Sequence, residues 1–157
     1  MSCQLILKSF GIVGLRRSCT FKEYPVAVPA ARAAFEAYKN ELPGECNTEL
    51  IVYAMSEEPV HPDRQESFAV GVMRMKPDRM QNGLEYIEIR DHWFTTVVYR
   101  GPIAGIGKGY SDIYEYIRAH KGREDKTSFV VELYDRRFHP DAEESEMEIY
   151  VPVVMEL

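Results

Sequence analysis

Apolar residues along the chain fall into short β-branched or aromatic runs, interrupted by two stretches with helical spacing. Residues 11–17 read as an opening strand. A helix is expected from Pro29, a residue suited to a first turn. Its stripe is Ala30, Ala33, Ala34, Ala37 and Tyr38, with Phe35 and Leu42 beside it, and Pro43-Gly44 stops it. Strands follow at 50–55 and 68–75, then at 84–90 and 92–100, with a turn at Gly101-Pro102. A second helix is expected over 106–120, where Ile106, Tyr110, Ile113, Tyr114 and Ile117 keep helical spacing. The last strands fall at 129–134 and 147–155.

The order is strand, helix, strand, strand, given twice, with an extra strand at the junction. Val60-His61-Pro62-Asp63-Arg64-Gln65-Glu66-Ser67 is matched by Phe138-His139-Pro140-Asp141-Ala142-Glu143-Glu144-Ser145, at an offset of 78 residues. Each copy follows one strand and precedes another. His-Pro-Asp also suits an ordinary hairpin turn. Its recurrence together with the flanking strands and the preceding helix favours duplication. The expected architecture is α+β: two βαββ modules, at about 1–76 and 84–157, within one domain spanning 1–157. They would share one antiparallel sheet with both helices on one face and a ligand groove at the pseudo-twofold. The polar, turn-rich stretch 76–83 marks the boundary.

Within that pattern one residue stands apart. Glu132 interrupts the apolar run Ser128-Phe129-Val130-Val131-Glu132-Leu133-Tyr134. Two-residue alternation puts Val130, Glu132 and Tyr134 on one face and Phe129, Val131 and Leu133 on the other. A carboxylate in an apolar setting must be paired, protonated or awaiting a cation. Arg16, Arg74 and Arg100 are candidate structural partners, and a solvated edge is the other bland outcome. If the groove binds a ligand, its wall candidates are Tyr134, Tyr53 at the related position of the first module, Tyr150 and Tyr114. At most one of Trp93 and Phe94 joins them, since consecutive strand residues point to opposite faces. Met55 and Met73 would add adaptable surface.

Composition narrows the function classes. The chain has 157 residues, 45% of them hydrophobic, and a net charge of −6. An acidic chain is a poor nucleic-acid surface, so no direct nucleic-acid contact is expected. No apolar stretch approaches the ~20 residues of a membrane span. The beginning of the sequence lacks a signal-peptide pattern. Cys3, Cys19 and Cys46 are odd in number and form no CxxC pair, which fits a reduced cytoplasmic protein. His61, His92, His120 and His139 are scattered, so no metal is expected. Gly101, Gly105, Gly107 and Gly109 form no phosphate loop, and no cofactor is expected. The glycines at 105–109 would instead loosen the start of the second helix and allow a lid to move. Ser18 and Cys19 lack a partner base, which leaves nucleophilic catalysis unsupported.

Four segments carry a family resemblance. Ile12-Val13-Gly14-Leu15-Arg16, Val97-Val98-Tyr99-Arg100-Gly101-Pro102, Phe129-Val130-Val131-Glu132-Leu133-Tyr134 and Glu148-Ile149-Tyr150-Val151-Pro152-Val153 occur in the order seen in GyrI-like effector-binding domains. These are the ligand modules of AraC- and MerR-type multidrug regulators, and they also occur as stand-alone or integron-cassette-like proteins. The resemblance spans nearly the whole chain. It implies the tandem βαββ (SHS2-like) fold, with Glu132 meeting hydrophobic, positively charged aromatic ligands in an aromatic pocket.

No helix-turn-helix segment is evident before residue 10 or after residue 150. The expectation is therefore a stand-alone effector-binding protein that acts in drug sequestration, or in transcription regulation through a partner regulator. Two other functions fit the resemblance. One is hydrolysis of reactive cyclopropane-type compounds with Glu132 as the catalytic acid or base. The other is modulation of DNA gyrase as a protein partner.

Overall fold

The computed structural model describes residues 2–155. Met1, Glu156 and Leu157, which the single-domain reading of 1–157 includes, lie outside the described residues. The elements run β1 (Gln4–Thr20), α1 (Tyr24–Lys39), β2 (Glu49–Ala54), β3 (Gln65–Met73), β4 (Glu85–Arg100), α2 (Gly107–Ala119), β5 (Arg123–Glu124), β6 (Phe129–Tyr134) and β7 (Glu146–Val154). They form one antiparallel seven-stranded sheet in the order β4-β1-β3-β2-β6-β7-β5. Neither helix is long and apolar enough to cross a membrane.

Strand β4 pairs twice. Its first part lies along β1 and its second along β7, from Phe94↔Pro152 to Arg100↔Glu146. The ladder therefore returns on itself, and the sheet has an enclosed face as well as a face under the helices. Strand alternation sends one apolar set to each. Val13, Leu15, Ile51, Val70, Val97, Ile149 and Val151 pack with Ala31 and Phe35 of α1 and with Ile113 and Ile117 of α2. Phe10, Ile12, Leu50, Val52, Phe94, Val131, Leu133 and Tyr150 fill the enclosed face without any helix residue.

Local chemistry explains where the elements differ from the sequence pattern. The expected strands 84–90 and 92–100 are one strand. Asp91 sits between them at φ 46°, and its N–H donates to Ser9 Oγ at 2.8 Å opposite a register shift at Lys8/Phe10. That irregularity bends β4 without ending it. Helix α1 begins at Tyr24, before the expected Pro29. Pro25 occupies its first turn and Pro29 lies inside it. Pro29 removes only the bond to the exposed Pro25 carbonyl, close to the helix start, where the loss is small. The alanine stripe is also displaced: Ala30, Ala33, Ala34 and Ala37 are exposed, whereas Ala31 and Phe35 are buried. Alanines surround this helix on all sides, so their spacing carries little information. The larger Tyr24, Val28, Phe35 and Tyr38 set the buried face.

One close approach holds β1 to β3. Gly14 faces Gly71 across the ladder. A Cβ on Gly71 would lie 2.1 Å from the Val13 carbonyl oxygen and 2.6 Å from Gly14 Cα. No side chain fits there.

Candidate functional site

Helices α1 and α2 cover the same face of the sheet, and the β2–β6 seam belongs to that face. Glu132 sits in the middle of β6, opposite Ile51 on β2 and Ile149 on β7. It is 5% exposed. Alternation within β6 therefore aims a carboxylate into the helix-side core.

Three tyrosines meet that carboxylate. Tyr134, two residues along the same strand face, donates to Oε1 at 2.7 Å. Tyr53 reaches Oε1 from β2 at 3.4 Å. Tyr110 descends from α2 and donates to Oε2. Among the described residues, no lysine or arginine lies within ion-pair distance of Glu132. The suggested partners are engaged elsewhere or remote. Arg16 pairs with Glu85 at 2.7 Å, Arg74 donates to the Pro43 carbonyl at 3.2 Å, and Arg100 is exposed opposite Glu146. Arg32 of α1 exerts the nearest attractive field. It lies 3.7 Å from Glu49 and 5.4 Å from the Tyr134 ring centroid.

The protonation balance follows from this arrangement. Burial raises the Glu132 pKa, and the hydrogen bonds from Tyr110, Tyr134 and Tyr53, with the field of Arg32, only partly offset it. The same burial, reinforced by the Glu132 charge, pushes the Tyr53, Tyr110 and Tyr134 hydroxyls upward. All three remain donors at physiological pH. Glu132 is thus a buried acid, hydrogen-bonded on both oxygens and without an opposite charge.

A cleft of about 490 Å³ opens beside it. Tyr24, Tyr53, Tyr110 and Tyr114 supply its aromatic walls, with Phe21, Met55, Val60 and Val130. Tyr24 meets Tyr53 edge-on, at 5.5 Å between centroids. Tyr110 and Tyr114 lie nearly parallel at 6.4 Å. Tyr53 and Tyr110 are shared features: each lines the cleft and each holds Glu132. The carboxylate lies behind them and is reached by moving a phenol. A larger cavity, about 740 Å³, opens near the other end of the β2–β6 seam. Four of its charged side chains are already paired: Lys39 with Glu49 at 2.9 Å, and Arg137 with Asp135 at 2.8 Å, the arginine also reaching Glu148 at 2.5 Å. Size favours that cavity, but chemistry favours the aromatic cleft, where an uncompensated acid waits.

The structure separates the residues named from sequence. Tyr53 and Tyr114 line the cleft, and Tyr134 joins Glu132 while facing the larger cavity. Phe94 and Tyr150 do not reach the site. Both pack on the enclosed face, because Tyr150 pairs with Val131, the neighbour of opposite parity to Glu132. Trp93 shares the helix-side parity of Thr95 and Val97 but lies near the middle of β4 opposite Leu7, 36% exposed and outside the cleft lining. Met55 lines the cleft and Met73 does not. Two of the glycines near α2 have a packing reason. A Cβ on Gly105 would meet Tyr99 Oη at 2.4 Å, and one on Gly109 would meet Ile149 Cδ1 at 2.8 Å. Sequence reasoning missed Tyr110 and Tyr24 as site residues. Tyr110 was visible only as part of the α2 stripe, and Tyr24 lay outside the expected helix.

The GyrI-like small molecule binding domain family matches the chain over residues 6–154. Among solved structures, SAV2435 bound to tetraphenylphosphonium aligns with a TM-score of 0.73 at 17% identity, covering 98% of this chain and 94% of that one. The EcmrR C-terminal domain aligns with a TM-score of 0.68 at 14% identity, covering 99% and 100%. A hydrolase encoded by lin2189 from Listeria innocua aligns with a TM-score of 0.54 at 12% identity, covering 97% and 91%. No curated protein matches the chain in sequence.

Proposed function

Because the chain belongs to the family of GyrI-like small molecule binding domains, we propose that it is a cytoplasmic effector-binding protein for hydrophobic aromatic cations. The ligand lies in the cleft between Tyr24, Tyr53, Tyr110 and Tyr114, with its charge directed at Glu132. One observation carries this reading. Glu132 is buried and ringed by phenols beside an aromatic cleft, yet has no cationic partner among the described residues. A delocalised cation loses little hydration on entry. It gains about 0.5–2 kcal/mol from an aromatic face and neutralises the carboxylate. Aromatic walls and a point charge impose little directional constraint, which suits a range of related ligands. The cation bound in the SAV2435 structure is of this chemical class. Binding serves either sequestration of the ligand or presentation to a partner regulator.

The test is direct titration with tetraphenylphosphonium. Wild type binds it, and Glu132→Gln, which keeps shape but removes the charge and turns one accepting oxygen into an NH2 donor, binds at least ~10-fold more weakly, equivalent to about 1.4 kcal/mol. Equal affinities would refute a charge-based site.

A further inference from the structure

The cleft contains a second buried acid. Glu66, at the start of β3, has a side chain only 2% exposed. Tyr24 donates to its Oε2 at 3.1 Å. Its other oxygen is held by Arg64, whose Nε lies 2.5 Å away. The guanidinium also donates to the Glu58 carbonyl at 2.7 Å and lies 5.8 Å from the Phe21 ring centroid. Arg64, Glu66, Phe21 and Tyr24 all line the same cleft as Tyr53 and Tyr110.

This is the arrangement inferred for the ligand, repeated with an occupant. A buried carboxylate, a tyrosine donating to it and an aromatic ring surround a flat, delocalised cation. The two acids are joined through the edge contact of Tyr24 with Tyr53. Their settings differ: Glu66 lines the cleft and already has its cation, whereas Glu132 lies behind the tyrosines that hold it and has none.

We propose that the cleft has two cation subsites, that the chain fills the one at Glu66 with its own Arg64, and that its remaining capacity is for ligands with a single positive centre. This deepens the reading of Glu132 as a cation site and rests on it for the ligand class, although the subsite at Glu66 stands on its own geometry. Arg64 is then a specificity-determining residue. A ligand with two cationic ends would bring its second charge towards the resident guanidinium, with Glu66 already neutralised. A monocation would meet no such conflict.

Two measurements on Arg64→Ala test this. The first is thermal melting with methylguanidinium at millimolar concentration, which refills the vacated position at Glu66. It raises the melting temperature of Arg64→Ala relative to an equal concentration of potassium chloride. It has no such effect on wild type or on Arg64→Ala/Glu66→Gln, which also shows whether loss of the pair alone still permits folding. Absence of a Glu66-dependent rescue overturns the subsite. The second compares tetraphenylphosphonium with dequalinium, a bis-cation. Arg64→Ala gains at least tenfold in dequalinium affinity over wild type, tetraphenylphosphonium changes by less than threefold, and adding Glu66→Gln abolishes the gain. An equal change for both ligands, or none, overturns the role in specificity. If wild type binds neither cation, the reading of Glu132 fails while methylguanidinium rescue still decides whether Glu66 is a cation subsite.

Discussion

Tyr110 on α2 donates its phenolic hydrogen bond to Glu132 on β6, and so ties a helix to a buried acid of the helix-side core that has no cationic partner among the described residues. The same ring forms part of the cleft wall. Packing of α2 and the state of the carboxylate are therefore coupled through one side chain. Tyr110→Phe removes the donor and keeps the ring. A hydrogen bond to a charged group contributes about 1.5–3 kcal/mol, and the loss here is softened because Tyr134 and Tyr53 remain. The expected cost is about 1–2 kcal/mol in urea unfolding at neutral pH. The Glu132 carboxyl, observed by carbon NMR, should titrate higher than in wild type. An unchanged titration would place the Tyr110 bond outside the balance that sets its protonation.

The raised pKa of Glu132 gives its stability effect a definite sign. An unfolded glutamate titrates near ~4.3, and burial holds the folded group above its ordinary value. Between those two values the folded state keeps a proton that the unfolded state releases. Stability contributed by Glu132 therefore falls as pH rises through that window, is undiminished below the unfolded value, and stays at its lower level above the folded pKa. Glu132→Gln lacks this dependence. The difference in urea midpoint, variant minus wild type, should grow as pH is raised from 4 and then level off. A difference that shrinks would mean that the carboxylate is stabilised in its charged form.

How much of this was legible beforehand depends on the residue. Which β6 residues share a face followed from alternation, but not that Val130, Glu132 and Tyr134 lie with the helices and Val131 and Leu133 on the enclosed face. The partners of Glu132 were only half visible. Tyr134 is two residues away, and Tyr53 occupies a neighbouring strand, but Tyr110 comes from a helix whose rotation over the sheet no local pattern specifies. The position of Phe94 and Tyr150 on the other face has another origin. Aromatic residues suit both faces of a closed sheet, and closure arises because β4 pairs with β1 and with β7. Nothing in the local sequence of β4 announces two partners. Arg64 and Glu66 were seen only as part of a recurring turn. Their ion pair depends on a buried position at the start of β3 that the His-Pro-Asp motif does not reveal.

The two faces should separate stability from binding. Phe94 is fully buried on the enclosed face and makes edge contacts with Phe10 at 5.5 Å and Tyr150 at 5.9 Å. Phe94→Ala should cost about 3–5 kcal/mol in urea unfolding. Tetraphenylphosphonium affinity of the folded fraction should stay within a factor of three, because the side chain lies across the sheet from the cleft. A loss of affinity as large as that of Glu132→Gln would show that the enclosed core controls the site.

Glycines at two positions should respond in opposite directions to alanine. At Gly71 the added Cβ meets the Val13 carbonyl at 2.1 Å, and backbone cannot yield as a side-chain end can. Gly71→Ala should lose roughly 1–3 kcal/mol or more as β1 and β3 are forced apart. Gly107, in the first turn of α2, has nothing within 4 Å of an added Cβ. Gly107→Ala should gain about 0.5–1 kcal/mol from helix propensity. If it also weakens tetraphenylphosphonium binding without loss of stability, freedom at the start of α2 is part of ligand entry.

Cation binding and proton release should be linked at Glu132. The bound cation favours the ionised carboxylate, whereas burial favours the protonated one. Tetraphenylphosphonium affinity should therefore rise with pH up to the raised folded-state pKa and become constant above it. Below that pKa, each binding event should expel up to one proton. Calorimetric titrations in two buffers with different ionisation heats measure this number directly, because the observed heat shifts in proportion to protons transferred. Tyr53, Tyr110 and Tyr134 cannot supply the proton, since burial and the Glu132 charge hold their hydroxyls well above the phenolic range. Glu132→Gln should show weaker binding with a flat pH profile and no buffer dependence. If the variant retains the proton release, the linked group lies elsewhere, and the affinity of the cleft for cations does not depend on ionising Glu132.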